Sequence, residues 1–318
     1  MARSTVALLE KGDLPAAART REVPAALAIL LAARPKTLPA AVVPVWLGCV
    51  LAWWQTGAVH WPLALWTLGG AVWIQIGTNF FNDAIDHAKG ADTAARLGPR
   101  RASASGLLSP RTVSAMALGC LLLALGCGLP LLLARGWPIL AIGVPSLYFA
   151  FGYTGGPLPL AYRGLGEVFV ILFFGLVAVM GTVFVQTGGW SAAAGLLGLQ
   201  VGLLAAVLIA VNNLRDIDED RQSAKRTLAV RCGKRGARAM ITVFCLLPQG
   251  LAATWLLVEG SAGLALALGG LPALAFGAGV LRVWRSEPGP GFNRFLALGA
   301  IQLVVFATGF TAAAVLAR

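Results

Sequence analysis

Apolar runs of about twenty residues, separated by short polar stretches, repeat from residue 36 to the end of the chain. At about 1.5 Å of rise per residue, each run is long enough to cross a hydrocarbon core of about 30 Å. The pattern predicts nine helices, at residues 36–56, 62–82, 112–133, 137–154, 166–186, 191–211, 237–257, 262–281 and 294–316. The fold class this implies is all-α, an integral membrane bundle. Residues 31–318 form one intramembrane domain behind an arm, residues 1–30. Prolines and aromatics punctuate the runs. Pro35 suits a helix start, and Pro39 and Pro44 predict kinks. Trp53, Trp54 and Trp61 mark the opposite membrane boundary. A polar loop is expected at 87–111, a tight hairpin at Arg135-Gly136, a breaker-rich connection at Tyr153–Pro159, and the longest basic loop from Arg215 to Arg238.

Composition removes the soluble alternatives. Apolar residues make up 58% of the chain and charged residues 12%, with a mean hydropathy of +0.79. The net charge of +12 raises the question of nucleic acid, and its distribution excludes it. With the nine spans in place, all but Arg135 and Arg318 of the 25 lysines and arginines fall on one side. That side is cytoplasmic by the positive-inside rule, which puts the N-terminus in the cytoplasm, and the expected location is the inner membrane of a cell. The five cysteines have irregular spacing and no Cys-x-x-Cys pair, which argues against both disulfides and zinc. The first twenty-odd residues mix Lys11, Asp13, Arg19 and Arg21 without a compact apolar core, unlike a secretory signal.

Of the 13 acidic residues, seven lie in two short clusters, each closing an apolar run on the cytoplasmic side. One runs Asn79-Phe-Phe-Asn82-Asp83-Ala-Ile-Asp86 and on to Asp92; the other is Asn212-Asn-Leu-Arg215-Asp216-Ile-Asp218-Glu219-Asp220. Carboxylates are costly near lipid, so such clusters point to a cationic ligand. Asn79, Asp83 and Asp86 fall at i, i+4 and i+7, with Asn82 on the same side, and Asp216 and Asp220 at i, i+4. Two carboxylates one turn apart suit Mg²⁺, which takes few protein carboxylates and completes its shell with water and phosphate oxygens. The repeated Asn-x-x-x-Asp spacing fits two related halves facing one cavity.

Arg215, Arg221, Lys225, Arg226, Arg100 and Arg101 suit the diphosphate oxygens that metal leaves exposed, although topology alone explains many of them. Lys36 and Arg34 lie at the same face. His87 reads as a solvated interfacial residue, and Tyr153 and Tyr162 as either interfacial anchors or substrate contacts. For Glu167, a salt bridge to Arg163 is as good a reading as a functional one. A metal-bound diphosphate at the end of an apolar bundle suits an isoprenoid diphosphate, with its head at the interface and its tail in lipid. Charge on the departing diphosphate is then stabilised while the cavity shields an allylic cation from water.

The motifs Asn82-Asp83-x-x-Asp86 and Asp216-x-x-x-Asp220 resemble the two aspartate motifs of UbiA-type intramembrane prenyltransferases, over nearly all of the chain after residue 30. Arg34-Pro-Lys-Thr-Leu-Pro39, Gly90-x-Asp92-x-x-x-Arg96-x-Gly98-Pro99, Tyr153-Thr-Gly-Gly-Pro157 with Gly164-Leu-Gly-Glu167, and Lys225 with Thr227-Leu228 are similar to the 1,4-dihydroxy-2-naphthoate branch. The resemblance implies nine helices around a central cavity, Mg²⁺ dependence, a polyprenyl diphosphate donor and a dihydroxynaphthoate acceptor that loses its carboxylate. By position it makes Asp83, Asp86, Asp216 and Asp220 the Mg²⁺-diphosphate ligands, with Asp92 a further candidate. Asn79, Asn82, Arg96, Arg101, Asn212, Arg215 and Lys225 support them, and Lys36 and Tyr153 sit near the head group or acceptor. Two other acceptors, 4-hydroxybenzoate and homogentisate, stay open. A transporter would place its charges near the bilayer midplane, whereas these acids gather at one face. A phosphatidyl-alcohol transferase needs a second aspartate pair soon after Asp92-Thr-Ala-Ala-Arg96, and none follows.

Overall fold

The computed structural model describes residues 24–90, 101–258 and 262–317. The arm up to residue 23, Asp92, Arg96, Arg100 and Arg318 lie outside the described residues. The architecture is all-helical among the described residues. A short helix α1 (Ala25–Ala33) leads through the Pro35–Thr37 turn into α2 (Pro39–Thr56) and α3 (Trp61–Ala88). Then come α4 (Pro110–Arg135), α5 (Pro138–Gly152), α6 (Gly166–Thr187) and α7 (Ala192–Arg215). The chain continues through a short α8 (Ile217–Gln222) to α9 (Leu228–Val258), α10 (Leu266–Arg285) and α11 (Asn293–Leu316).

All nine expected spans coincide with helix, and seven of these helices are both long and apolar enough to cross a membrane. The exceptions are α3, whose 28 residues carry buried Gln75, Asn79, Asp83 and Asp86, and α5, with 15 residues. The helix α3 sacrifices hydropathy to supply polar side chains to the interior. Its C-terminal end also runs six residues beyond the expected boundary at 82, so Asp83 and Asp86 ride inside the helix.

The expected long loop from Arg215 to Arg238 is a correction. Asp218, Glu219 and Asp220 occupy the first turn of α8, where the helix dipole favours acids. Thr227 Oγ1 accepts from Val230 N (3.3 Å) at the start of α9, whose first turns break at Gly233 (φ +72°). The basic residues there obscure this helix in the sequence. Asp216 and Asp220, expected on one continuous helix, straddle the α7–α8 junction. Asp220 N still donates to Asp216 O (2.8 Å), so both stay one turn apart.

Among the described residues, three large apolar clusters hold the bundle. Phe80, Ala84, Val113 and Ala117 join α3 to α4; Leu47, Val183, Val201, Leu204 and Leu303 join α2, α6, α7 and α11. The third, around Leu214, Ile217, Ile241 and Phe292, packs α7 and α8 on α9 and α11. With no hydrophobic drive between helices in lipid, close backbone approach matters. At the α6–α7 crossing, Gly175 in a π-helical stretch (Ile171–Val177) meets Gly198 and Gly202 so closely that a Cβ would run into backbone. The five cysteines are all free thiols.

Candidate active site

The ends of α3 and α7 meet across one cavity of about 880 Å³, and both acidic clusters border it. Asp83, Asp86, Asp216 and Asp220 all line its wall, together with Asn82, Lys36, Arg101, Tyr153, Asn212, Arg215 and Lys225. Part of the lining is apolar, formed by Leu208 and Ile209 of α7 and by Leu296, Ala300, Ile301 and Val304 of α11. The cavity therefore combines a charged head and a greasy flank, the two chemistries of a long-chain diphosphate.

On α3 the i, i+4, i+7 stripe faces inward, and Asn79, Asp83 and Asp86 are all buried. Their partners differ. Asp83 accepts the backbone N–H of Ala102 (2.9 Å) and of Ser103 (2.8 Å), one on each oxygen, and so anchors the turn before α4. That turn delivers Arg101, which donates to Asp86 Oδ2 (2.7 Å) and to the Asn82 carbonyl. Tyr162 donates its hydroxyl to the other oxygen of Asp86 (2.8 Å). Asn79 departs from the expected donor-binding role, because it does not border the cavity. Its amide donates to the carbonyl of Ala33 (2.9 Å), at the end of α1, and to Thr37 Oγ1 (3.0 Å). It ties down the linker that carries Arg34 and Lys36, since a carbonyl at a helix end needs a donor. Asn82 pairs with Thr154 Oγ1 across to the segment after α5.

On the other side, Arg215 is 3% exposed and grips Asp216 with two bonds (2.6 and 2.7 Å), while its third arm donates to Asn293 Oδ1 of α11 (2.6 Å). Lys225 lies 3.7 Å from Asp220 Oδ1. The Asp220 Oδ2 is buried and accepts no hydrogen bond, and burial raises this carboxyl to about 6 against the pull of Lys225. Tyr162 joins the halves: Lys89 Nζ lies 4.2 Å and Lys225 Nζ 5.6 Å from its ring centroid, and its carbonyl accepts from Arg226 N (3.1 Å). Asp218 is exposed and pairs at 3.8 Å with Arg221, outside the cavity. His87 is likewise exposed.

Four carboxylates in two pairs are hard oxygen donors, and the orphaned Asp220 oxygen is the kind of group a cation completes. Among the described residues no three acids, histidines or cysteines gather closely enough to hold an ion by themselves. Two carboxylate pairs bordering one cavity fit Mg²⁺, a hard cation that takes few protein carboxylates. Arg101 and Arg215 meanwhile neutralise the buried Asp86 and the half-buried Asp216.

Asn293, Thr154, Asn213 and Glu167 belong to this neighbourhood and were not singled out as site residues from the sequence. Asn293 had no local signal. Thr154, Glu167 and Asn213 fall inside the motifs around Tyr153, Gly164 and Asn212, whose individual contacts only the packing reveals. The salt bridge considered between Arg163 and Glu167 is absent: Arg163 faces outward, and Glu167 accepts from Asn213 Nδ2 (2.8 Å).

The family profile described as UbiA prenyltransferase family matches residues 41–312. The chain is 38% identical over 287 residues to a 1,4-dihydroxy-2-naphthoate octaprenyltransferase of Mycobacterium leprae, covering 90% of this chain and 95% of that protein. The protein of the same name from Bacillus subtilis is 36% identical, with 71% of this chain and 75% of the relative covered. Among solved structures, an apo UbiA homolog from Aeropyrum pernix superposes with a TM-score of 0.64 at 18% identity, over 90% of this chain and 98% of that one. A UbiA homolog from Archaeoglobus fulgidus bound to DMAPP and Mg²⁺ gives 0.63 at 12% identity, over 91% and 99%. Fold, inward-facing aspartate pairs and sequence similarity converge, and the chain belongs to the UbiA prenyltransferase family.

Proposed function

We propose that this protein transfers a polyprenyl group from polyprenyl diphosphate to 1,4-dihydroxy-2-naphthoate, releasing CO₂ and diphosphate and giving the reduced, quinol form of demethylmenaquinone. One observation carries this reading: two carboxylate pairs from distant parts of the chain border a single cavity with an apolar flank. The relatives named for that reaction support the choice of acceptor. Asp83, Asp86, Asp216 and Asp220 would hold Mg²⁺. When bound, it supplies charge neutralisation at the diphosphate oxygens as the C–O bond breaks.

The chain's own residues do the rest. Lys36, Arg101, Arg215 and Lys225 offer positive charge to the anionic head, with Arg101 and Arg215 held in place by Asp86 and Asp216. Asn82 and Asn212 add hydrogen bonds. Leu296, Ala300, Ile301 and Val304 guide the isoprenoid tail toward lipid and keep water from the allylic carbon. Tyr153 stands beside the acceptor. Arg96 and Asp92 join this reading through their sequence motif alone. The basic loops support a cytoplasmic N-terminus and active site at the inner membrane, with one intramembrane domain from residue 31 after a cytoplasmic arm as part of the same proposal. Purified Asp216→Asn protein, given Mg²⁺, prenyl diphosphate and the naphthoate, is expected to lose turnover while keeping its helical content. Near-normal turnover in Asp216→Asn, or full activity of the wild type in excess chelator, contradicts the metal assignment.

A further inference from the structure

Glu167 opens α6 and is the one acid in that helix. It is 1% exposed, and no cation pairs with it among the described residues. Its Oε1 accepts from Asn213 Nδ2 (2.8 Å), whereas Oε2 is closed off and has no hydrogen-bond partner. A carboxyl in the membrane with half its bonding capacity unused is unfavourable unless it serves a ligand. Arg163, the cation nearest in sequence, gives its guanidinium to the Pro157 carbonyl (3.4 Å) instead, and its own carbonyl accepts from Arg231 (2.8 Å).

Glu167 and Asn213 both border the cavity, next to Tyr153, Gly166 and Ile209. The Tyr153 hydroxyl lies over Gly166: a Cβ there would sit 3.0 Å from that oxygen and 2.8 Å from Ile209 Cδ1. The corner thus offers an aromatic face, an aliphatic edge and a carboxyl without a counter-ion. Such chemistry repels a diphosphate and suits a flat hydroxylated ring. A hydroxyl both donates and accepts, so it matches a carboxyl in either protonation state; a carboxylate on the ligand does not.

We propose that Glu167, held by Asn213, hydrogen-bonds a ring hydroxyl of the aromatic acceptor and sets the preference for a dihydroxylated ring. This rests on the acceptor reading given above. The test compares 1,4-dihydroxy-2-naphthoate with 1-hydroxy-2-naphthoate and 4-hydroxy-2-naphthoate, each lacking one hydroxyl. Wild type, Glu167→Gln and Glu167→Ala are assayed on all three at saturating prenyl diphosphate, and the donor KM of each protein is taken from a prenyl diphosphate titration at fixed 1,4-dihydroxy-2-naphthoate. The intrinsic reactivity of each ring cancels when the wild-type preference is divided by that of a variant.

The preference in kcat/KM for the dihydroxy ring over one analogue is expected to fall about tenfold in Glu167→Ala, and less in Glu167→Gln, with KM for the donor unchanged. A preference unchanged in the variants, or a donor KM that moves in its place, overturns the assignment. Should Glu167→Ala fail to fold, Glu167→Gln carries the same comparison. A wild type that uses all three rings equally overturns it without any variant. A wild type inert on every naphthoate overturns the proposed function, and this inference with it.

Discussion

Replacing Asp83 by Asn tests how the first acidic pair is built. The carboxylate is 1% exposed and receives two backbone N–H groups, from Ala102 at 2.9 Å and Ser103 at 2.8 Å. An amide of the same shape keeps one acceptor and turns an NH₂ toward the other N–H. The surviving bond loses its charge assistance, about 1 kcal/mol, and the buried N–H left without an acceptor costs about 1–3 kcal/mol. Together these disfavour the docked turn by about 2–4 kcal/mol, or roughly 30- to 1000-fold in its opening. Hydrogen–deuterium exchange on peptides covering 101–108 reads that opening directly. We expect the Ala102 and Ser103 amides to exchange faster by that factor while peptides from α7 stay protected. Prenyl transfer should fall as well, because Arg101 reaches Asp86 from the same turn. Unchanged exchange at 101–108 in Asp83→Asn would refute the anchoring role.

Three further outcomes follow from the same geometry. Tyr162→Phe keeps the ring beneath Lys89 but removes the bond to Asp86; a Mg²⁺ titration of turnover should show a raised metal requirement and a rate loss of about tenfold to a hundredfold. Gly175→Ala forces α6 away from Gly198 and Gly202 and should lower thermal stability in nanodiscs by about 1–3 kcal/mol or more, whereas Gly126→Ala, which meets nothing, should not. Burial raises the Asp220 carboxyl of the metal-free protein to about 6, so Mg²⁺ binding, which needs its carboxylate, should weaken as pH falls through about 6. For the metal-free fold the sign is opposite. A raised carboxyl pKa favours the neutral form, so stability is full below the ordinary range of about 4 and is lost as pH rises through about 6. Melting temperatures of metal-free wild type and Asp220→Asn across pH 4–7.5 check this, and the variant should show a smaller fall.

Hydrophobic run length made the helices legible, because a lipid solvent demands about twenty apolar residues wherever the backbone crosses it. The 3.6-residue period likewise made the inward stripe of Asn79, Asp83 and Asp86 readable from the sequence alone. Pairing across the chain was not readable in the same way. Asn79 shares the stripe of Asp83 yet bonds to the linker at Ala33 and Thr37, a choice set by where α1 packs. Arg215 had an obvious partner in Asp216, but its contact with Asn293 of α11 needed the fold. The start of α9 looked like a loop because its charges mask a helical segment broken at Gly233. Glu167 had a cation four residues away in sequence, and burial beside Asn213 chose otherwise.

The most direct measurement offers the purified protein Mg²⁺ and a polyprenyl diphosphate, with 1,4-dihydroxy-2-naphthoate, 4-hydroxybenzoate and homogentisate present in equal amounts. Mass spectrometry of the extracted lipids then identifies the product. The cavity and its acceptor corner predict a prenylated naphthoquinol that has lost CO₂ as the dominant species. A prenylated benzoate or homogentisate product in its place, or no prenylated aromatic at all, would contradict the account.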